Sequence, residues 1–239
     1  MLYAGSAKQR RSAGIPSAPG DAALAAAKAG VRDLVKARLA SLTLKGFSAA
    51  GERARRSFVR EIAGKPFRSV LVFISRADEI DTLPLMESAL NAGKSLFTPR
   101  TEGIGLVFYR LFPRIPGGGS LPVNRGILEE RLGTLKRGPG GIREPEMDSA
   151  AALGAEDFPL VIFTPGLAFD REGRRLGRGR GYYDRFFAAL EGRFPGGGFR
   201  ALGLCMGCQV VERAPAGPGD KTMDGVWSEG LPCYGQVLS

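Results

Sequence analysis

Between Thr164 and Phe187 the chain reads TPGLAFDREGRRLGRGRGYYDRFF. Glycines stand at 166, 173, 177, 179 and 181, arginines at 171, 174, 175, 178, 180 and 185, aspartates at 170 and 184, and tyrosines at 182 and 183. Glycine lets backbone N–H groups approach an anion with no Cβ in the way, and a guanidinium presents planar, forked donors that match phosphate oxygens. If the phosphates belong to a nucleotide, the aspartates at either end are the hard oxygen ligands a magnesium ion requires. The competing interpretation is an exposed, solvated basic loop whose glycines are turns. The glycine pattern alone does not decide between them. A dinucleotide fingerprint needs G-x-G-x-x-G at the opening of a helix, and here Tyr182 follows Gly181 with no third glycine in register.

The flanking sequence supplies context. Leu160 to Phe163, bounded by Pro159 and Pro165, is an apolar run expected to form a buried strand, and Tyr183 to Leu190 has the pattern of a helix. A strand, a glycine-rich loop and a helix start place backbone N–H groups and the positive end of a helix dipole at one point, which suits phosphate. Upstream, Leu24, Ala27, Val31, Leu34, Val35, Leu39 and Leu42 recur at helical spacing from Asp21 onward. Lys28, Arg32 and Lys36, four residues apart, stack along the flank of that stripe. A second helix is expected from Ser48, as N-cap, to Gly64.

Val70 to Ile74 has no polar alternation and reads as a strand covered on both faces, as in a parallel sheet. Asp81 or Thr82 can cap the helix that follows, Pro84 fits its first turn and Gly93 ends it; Lys94 to Phe97 is then a short strand. In such a βαβ unit ligands gather at the carboxyl ends of the strands, where Ser75 to Glu79 must lie. Glu79 can there meet a substrate amine or ring nitrogen, or cap the helix. Ile104 to Phe112 suits an antiparallel or edge strand, Pro113 to Asp157 reads as connecting loops around Gly117–Gly119 and Gly138–Gly141, and Phe199 to Cys205 is a further strand. Asp220 and Asp224 form a second acidic pair.

Composition limits the chemistry. The 239 residues carry a formal charge of +10, which favours anionic partners, and contain no histidine, which excludes a histidine general base, a catalytic triad and the usual zinc sites. Of the three cysteines, Cys205 and Cys208 have C-x-x-C redox spacing, but buried thiols at a strand end explain them better. No apolar run is long enough to cross a bilayer and no secretory leader is evident, so a cytoplasmic protein is expected, with residues 1–20 a disordered basic arm and 21–239 a single α/β domain.

Taken together these residues resemble the 5-formyltetrahydrofolate cyclo-ligase family, also known as methenyltetrahydrofolate synthetase. PGLAFD, then G-R-R-L-G-R-G-R-G-Y-Y-D-R from Gly173 to Arg185, carries the likeness, supported by Lys28-x-x-x-Arg32, Phe73-Ile74-Ser75 with Asp78-Glu79-Ile80, Pro99-Arg100, Ile142 to Glu144-Pro145, and Gln209 followed by Asp220 and Asp224. The resemblance implies a three-layer α/β sandwich around a largely parallel sheet with helices on both faces. It further implies ATP-dependent closure of 5-formyltetrahydrofolate to 5,10-methenyltetrahydrofolate, with ADP and phosphate released. By the same likeness Lys28, Arg32, Arg175, Leu176, Gly177, Arg178, Gly179, Arg180, Gly181, Tyr182 and Tyr183 would bind ATP. Arg175, Arg178 and Tyr183 would be catalytic, Ile74, Glu79 and Tyr183 would contact the folate, and Asp184 with Asp220 would hold Mg2+. The expected partners are ATP and a reduced folate, with no membrane, no nucleic acid and a monomeric state. As a loop-end carboxylate, Asp184 is expected to be dispensable for packing. The rival from another class is an RNA-binding module using the Arg/Gly/Tyr loop. A generic kinase is disfavoured by the lack of a Walker A lysine or a kinase catalytic loop.

Overall fold

The computed structural model describes residues 19–113, 123–148 and 151–234. The chain order is α1 (Pro19–Ala40), α2 (Leu44–Glu61), β1 (Ser69–Val72), α3 (Leu83–Asn91), β2 (Ser95–Glu102), β3 (Gly105–Arg110), α4 (Arg125–Gly133), β4 (Lys136–Arg137), β5 (Arg143–Glu144), β6 (Leu160–Thr164), β7 (Ala168–Phe169), β8 (Arg175–Leu176), α5 (Tyr182–Arg193), β9 (Phe199–Cys205), β10 (Gly225–Ser228) and β11 (Leu231–Tyr234). Seven strands form one sheet in the order β11-β10-β9-β6-β1-β2-β3. The pairings from β10 through β2 are parallel, and the two edge pairings, β10 with β11 and β2 with β3, are antiparallel.

Both faces are covered. Alternate residues of the central strands divide between two cores: Val70, Val72, Val161, Phe163, Leu202 and Leu204 point to the side of α1 to α4. Leu71, Leu160, Ile162 and Ala201 point to the side of α5, with its Phe186, Phe187 and Leu190. This is the expected three-layer sandwich around a largely parallel sheet, and burial on both faces explains why the strands read as unbroken apolar runs. No helix among the described residues is long and apolar enough to cross a membrane.

Several element boundaries differ from expectation: β1 ends at Val72 rather than Ile74, and α2 at Glu61 rather than Gly64. Helix α2 begins four residues before Ser48, because Thr43 accepts a bond from Gly46 N at 3.2 Å and so caps an earlier start. Asp81 and Thr82 share the opening of α3: Asp81 Oδ1 accepts from Leu83 N at 3.0 Å, while the Thr82 hydroxyl donates to Phe73 O at 2.9 Å. Strand β2 runs on through Pro99 to Glu102, since β1 pairs with it only as far as Phe97 and the absent N–H breaks no second ladder.

The stretch expected to be connecting loops, 113–157, instead contains α4 and the β4–β5 pair. Asn124 caps α4 by accepting from Ile127 N at 3.0 Å, and only Leu128 and Leu132 are buried. Two apolar residues one turn apart are too weak a periodic signal to detect in the sequence. Residues 1–18 of the expected arm, and Gly117–Gly119, lie outside the described residues, while Pro19 and Gly20 open α1.

Between α2 and β6, the Phe163 ring centroid lies 6.4 Å from that of Phe58 and 5.4 Å from that of Trp227, and all three side chains are fully buried. Phe163→Ala should lower the unfolding free energy by about 3–5 kcal/mol, the cost of a large cavity in a close-packed core, measured by urea denaturation.

Candidate functional site

Parallel neighbours β1 and β6 end at the same edge of the sheet, and chain order reverses between them, since β2 lies on one side of β1 and β9 beyond β6. Such a switch point opens a crevice at the strand carboxyl ends. Ser75 to Glu79 leave β1 there, and the Thr164 to Phe187 stretch leaves β6. That stretch is not a simple loop: it contains the antiparallel β7–β8 hairpin, with Phe169 opposite Arg175. Its turn is fixed by Asp170, which is fully buried and accepts bonds from Glu172 N at 2.9 Å, Arg174 N at 3.1 Å, Arg174 Nε at 2.6 Å and Ala214 N at 2.8 Å. A carboxylate so saturated is a turn-former, and Asp170, expected from its place beside the glycine run to suit a metal, has no oxygen to spare for one.

After the hairpin, Gly177 to Gly181 follow an irregular path to α5. Gly179 and Gly181 have φ of 104° and 63°, values that favour glycine. Among the described residues, none of the backbone N–H groups from Gly177 to Tyr183 donates to a protein acceptor. Successive unpaired amides that run into a helix N-terminus form an anion-binding concavity.

Cations surround this cradle, and all but Arg180 are held by a carboxylate or carbonyl. Arg175 is only 5% exposed; its Nη2 donates to Asp184 Oδ1 at 2.6 Å, its Nη1 to Pro165 O at 3.4 Å, and its Cζ lies 5.6 Å from the Tyr183 ring centroid. Arg178 Nη2 reaches Asp78 Oδ2 at 2.9 Å and Glu79 Oε1 at 3.2 Å. From α1, Lys28 Nζ donates to Asp220 Oδ2 at 2.6 Å and Arg32 Nε to Gly177 O at 2.9 Å. The third cation of the α1 row, Lys36, instead pairs weakly with Asp33 at the exposed surface.

The two candidate metal ligands come together. Asp184 Oδ1 accepts from the backbone N of Lys221, next to Asp220, at 3.3 Å. Asp220 Oδ2 also accepts from Gly217 N at 2.7 Å. Burial pushes the Asp220 carboxyl up, but the Lys28 bond, the Gly217 amide and the charges of Lys28 and Arg175 outweigh it and leave it below the usual range. Among the described residues, Asp184 Oδ2 and Asp220 Oδ1 have no protein donor. No group of three or more His, Cys, Asp or Glu residues that could cage a metal is found among them either. Two carboxylates with one oxygen each to spare match magnesium, which keeps several waters and takes its remaining ligands from phosphates.

Other expected residues fall as follows. Glu79 does not cap α3: its Oε2 accepts from Arg76 N at 3.1 Å, and burial pushes its carboxyl above the usual range against the opposing Arg178 charge. Tyr183 packs edge-on against Phe108 and Phe186, its hydroxyl is buried without a partner among the described residues, and burial with the Glu79 charge pushes the phenol well up. Ile74 lines a cavity of about 750 Å3 beside the cradle, shared with Asp78, Thr82, Met86, Leu132 and Ile142. Leu176 is 2% exposed in the core, so only its backbone is available to a ligand. The Arg180 side chain is exposed and makes no bond among the described residues. Tyr182 stacks with Arg185, 5.5 Å from its ring centroid.

Two partners went unassigned in the sequence. Asp78 was legible only as a neighbour of Glu79, and Lys221 only as a spacer between acidic residues. The three cysteines are free thiols, Cys205 buried at the end of β9 and the other two half-buried, in keeping with a structural role.

A carboxyl raised in the folded state holds its proton better there than in the unfolded chain, so Glu79 makes stability fall as pH rises from the unfolded carboxyl value of about 4.3 through its folded value. In Glu79→Gln this fall should disappear. Thermal unfolding of both proteins across pH 4 to 8 checks the sign.

The model of the family described as "5-formyltetrahydrofolate cyclo-ligase family" matches residues 24–229. The chain is 31% identical over 160 residues to a probable 5-formyltetrahydrofolate cyclo-ligase of Caenorhabditis elegans, covering 66% of this chain and 71% of that protein. It is 32% identical over 150 residues to the 5-formyltetrahydrofolate cyclo-ligase of Escherichia coli K12, covering 62% and 70%. The solved 5,10-methenyltetrahydrofolate synthetase of Aquifex aeolicus superposes with a TM-score of 0.65 at 25% identity, over 89% of this chain and 93% of that one. The synthetase of Mycoplasma pneumoniae, with a TM-score of 0.56 at 15% identity, over 83% of this chain and 96% of that one, shares the fold. A family match across this span, with relatives at these identities, means that the chain belongs to the 5-formyltetrahydrofolate cyclo-ligase family.

Proposed function

We propose that the protein converts 5-formyltetrahydrofolate and ATP, with magnesium, into 5,10-methenyltetrahydrofolate, ADP and phosphate. The observation that carries this reading is the run of unpartnered amides from Gly177 to Tyr183, walled by Lys28, Arg32, Arg175 and Arg178 and set beside a cavity large enough for a second substrate. Family membership supplies the substrate class.

In this reading the cradle amides and the four cations bind and orient the triphosphate. Ile74 and Glu79 contact the folate, which occupies the adjoining cavity. The formyl oxygen attacks the γ-phosphorus as the bond to the β,γ-bridging oxygen breaks and ADP departs. N10 then adds to the activated formyl carbon and loses its proton to solvent; the C–O bond breaks and phosphate leaves. Arg175 and Arg178 face the charge on the transferred group, and the Tyr183 hydroxyl is a donor free to reach the formyl oxygen. Such chemistry relies on positioning and charge neutralisation, which is why the absence of histidine is no obstacle. Asp184 and Asp220 would hold the magnesium ion, which when bound neutralises phosphate charge.

The arrangement disfavours the RNA-binding alternative. Arg174, Arg175 and Arg178 are turned onto carboxylates, and the partly buried Tyr183 ring is packed against the core, so the loop does not offer a stacking platform.

The test is ATP-dependent formation of the methenyl product, followed by its absorbance, from 5-formyltetrahydrofolate and magnesium; no product, or product without ATP, would defeat the proposal. Asp184→Asn, whose amide oxygen can still accept from Arg175 Nη2, should abolish turnover with a smaller loss of stability than removal of the side chain. Asp184→Ala, in contrast, strands the buried Arg175 charge and should lower the unfolding free energy by about 3 kcal/mol, so Asp184 is not dispensable for packing as first expected. Denaturation curves of the two variants separate these effects.

A further inference from the structure

The segment Gly177-Arg178-Gly179-Arg180-Gly181 contains three glycines in five residues, and its amides are not tied down by secondary structure. Such a segment has high conformational entropy unless its ends are fixed, and that entropy would be lost on binding an anion. The entry is fixed by Arg32, which donates to Gly177 O at 2.9 Å. The exit is fixed by Arg185, in the first turn of α5, to which the sequence reading gave no role.

Arg185 Nη2 donates to Arg180 O at 2.6 Å, and its Nε donates to Ile104 O at 2.7 Å, at the turn between β2 and β3. Its Cζ lies 5.5 Å from the Tyr182 ring centroid. A Cβ at Gly181 would lie 2.9 Å from Arg185 Nη1, so the guanidinium sits directly against this glycine, whose φ of 63° already favours the absence of a side chain. One planar group thus ties the last peptide of the cradle to the antiparallel edge of the sheet and to the aromatic ring that opens α5. In a trans peptide the C=O and the following N–H point to opposite sides. Holding Arg180 O on the guanidinium therefore turns the Gly181 N–H away from it, and that N–H has no protein acceptor among the described residues.

We infer that Arg185 is a positioning residue for nucleotide binding: it touches neither substrate, and sets the Arg180–Gly181 peptide so that the cradle amides are pre-oriented for phosphate. The inference rests on the ATP reading above and deepens it. It separates the two substrates, because the contacts made by Arg185 lie on the cradle and the β2–β3 turn, whereas the cavity that holds Ile74 is lined without it.

Calorimetric titration of the full chain with magnesium–ATP, and separately with 5-formyltetrahydrofolate, tests this. Arg185→Ala should weaken ATP binding by about tenfold or more, as expected for loss of charge-assisted bonds to two carbonyls, with folate affinity held within about twofold. Millimolar guanidinium should restore part of the lost ATP affinity, and Arg185→Lys, which keeps the charge without the fork, should fall between wild type and Arg185→Ala. The inference is overturned if Arg185→Ala binds ATP as wild type does. It is equally overturned if both ligands weaken in parallel with a fall in thermal midpoint and no rescue by guanidinium, which would mark a general structural role. Failure of the wild-type protein to bind ATP is a separate outcome that defeats the ATP reading and, with it, this inference.

Discussion

Arg175 lies in a two-residue strand with a guanidinium almost wholly removed from water, and a charge so placed must be paired. Its partner is Asp184, and the pairing fixes the first turn of α5 against the β7–β8 hairpin. The same Asp184 oxygen accepts the backbone N of Lys221, which brings the 220 loop to the hairpin; Asp220 in turn holds Lys28 and so anchors the otherwise exposed N-terminal half of α1. One buried ion pair thus gathers the hairpin, α5, the 220 loop and α1 around a single anion cradle. Without it, the cations would have no common point to face.

The pairing also reconciles two demands that oppose each other. A site that binds a polyanion must collect positive charge, and collected positive charge repels itself. Here Lys28, Arg175 and Arg178 each sit on a carboxylate, and Arg32 on a carbonyl, so the cluster is neutralised locally while its remaining donors are free for phosphate. Asp184 and Asp220 each commit one oxygen to a cation and keep the other. The carboxylates that orient the basic groups are therefore the same ones suited to hold a metal beside the phosphates.

Much of this was legible in the sequence because parallel strands and glycine-rich loops leave strong local marks. The runs Val70–Ile74 and Leu160–Phe163 announced buried strands, and the four-residue spacing of Lys28 and Arg32 placed both on one flank of a helix, though only their partners in the fold, Asp220 and Gly177 O, show that this flank meets the loop. Helix α4 was not legible, since two buried leucines make no period. Nor was the difference between Asp170 and Asp184. Both flank the glycine run, and only the three-dimensional donors, four bonds on a fully buried turn residue against two on a partly exposed one, separate a structural carboxylate from a candidate ligand. Asp78 and Arg185 were present in the motifs but silent, because Asp78 meets Arg178 100 residues away, and Arg185 joins a backbone carbonyl five residues away to another 81 residues away, a contact that leaves no mark in side-chain pattern.

The central claim is that the Gly177–Tyr183 cradle binds a metal-complexed triphosphate, with the Asp184 and Asp220 carboxylates engaging the metal. Titration of the protein with ATP in the presence and absence of magnesium measures it most directly. The account predicts that magnesium tightens ATP binding in the wild-type protein and that this gain is lost in Asp220→Asn. Equal affinity with and without the metal, or a gain that persists in Asp220→Asn, would contradict it.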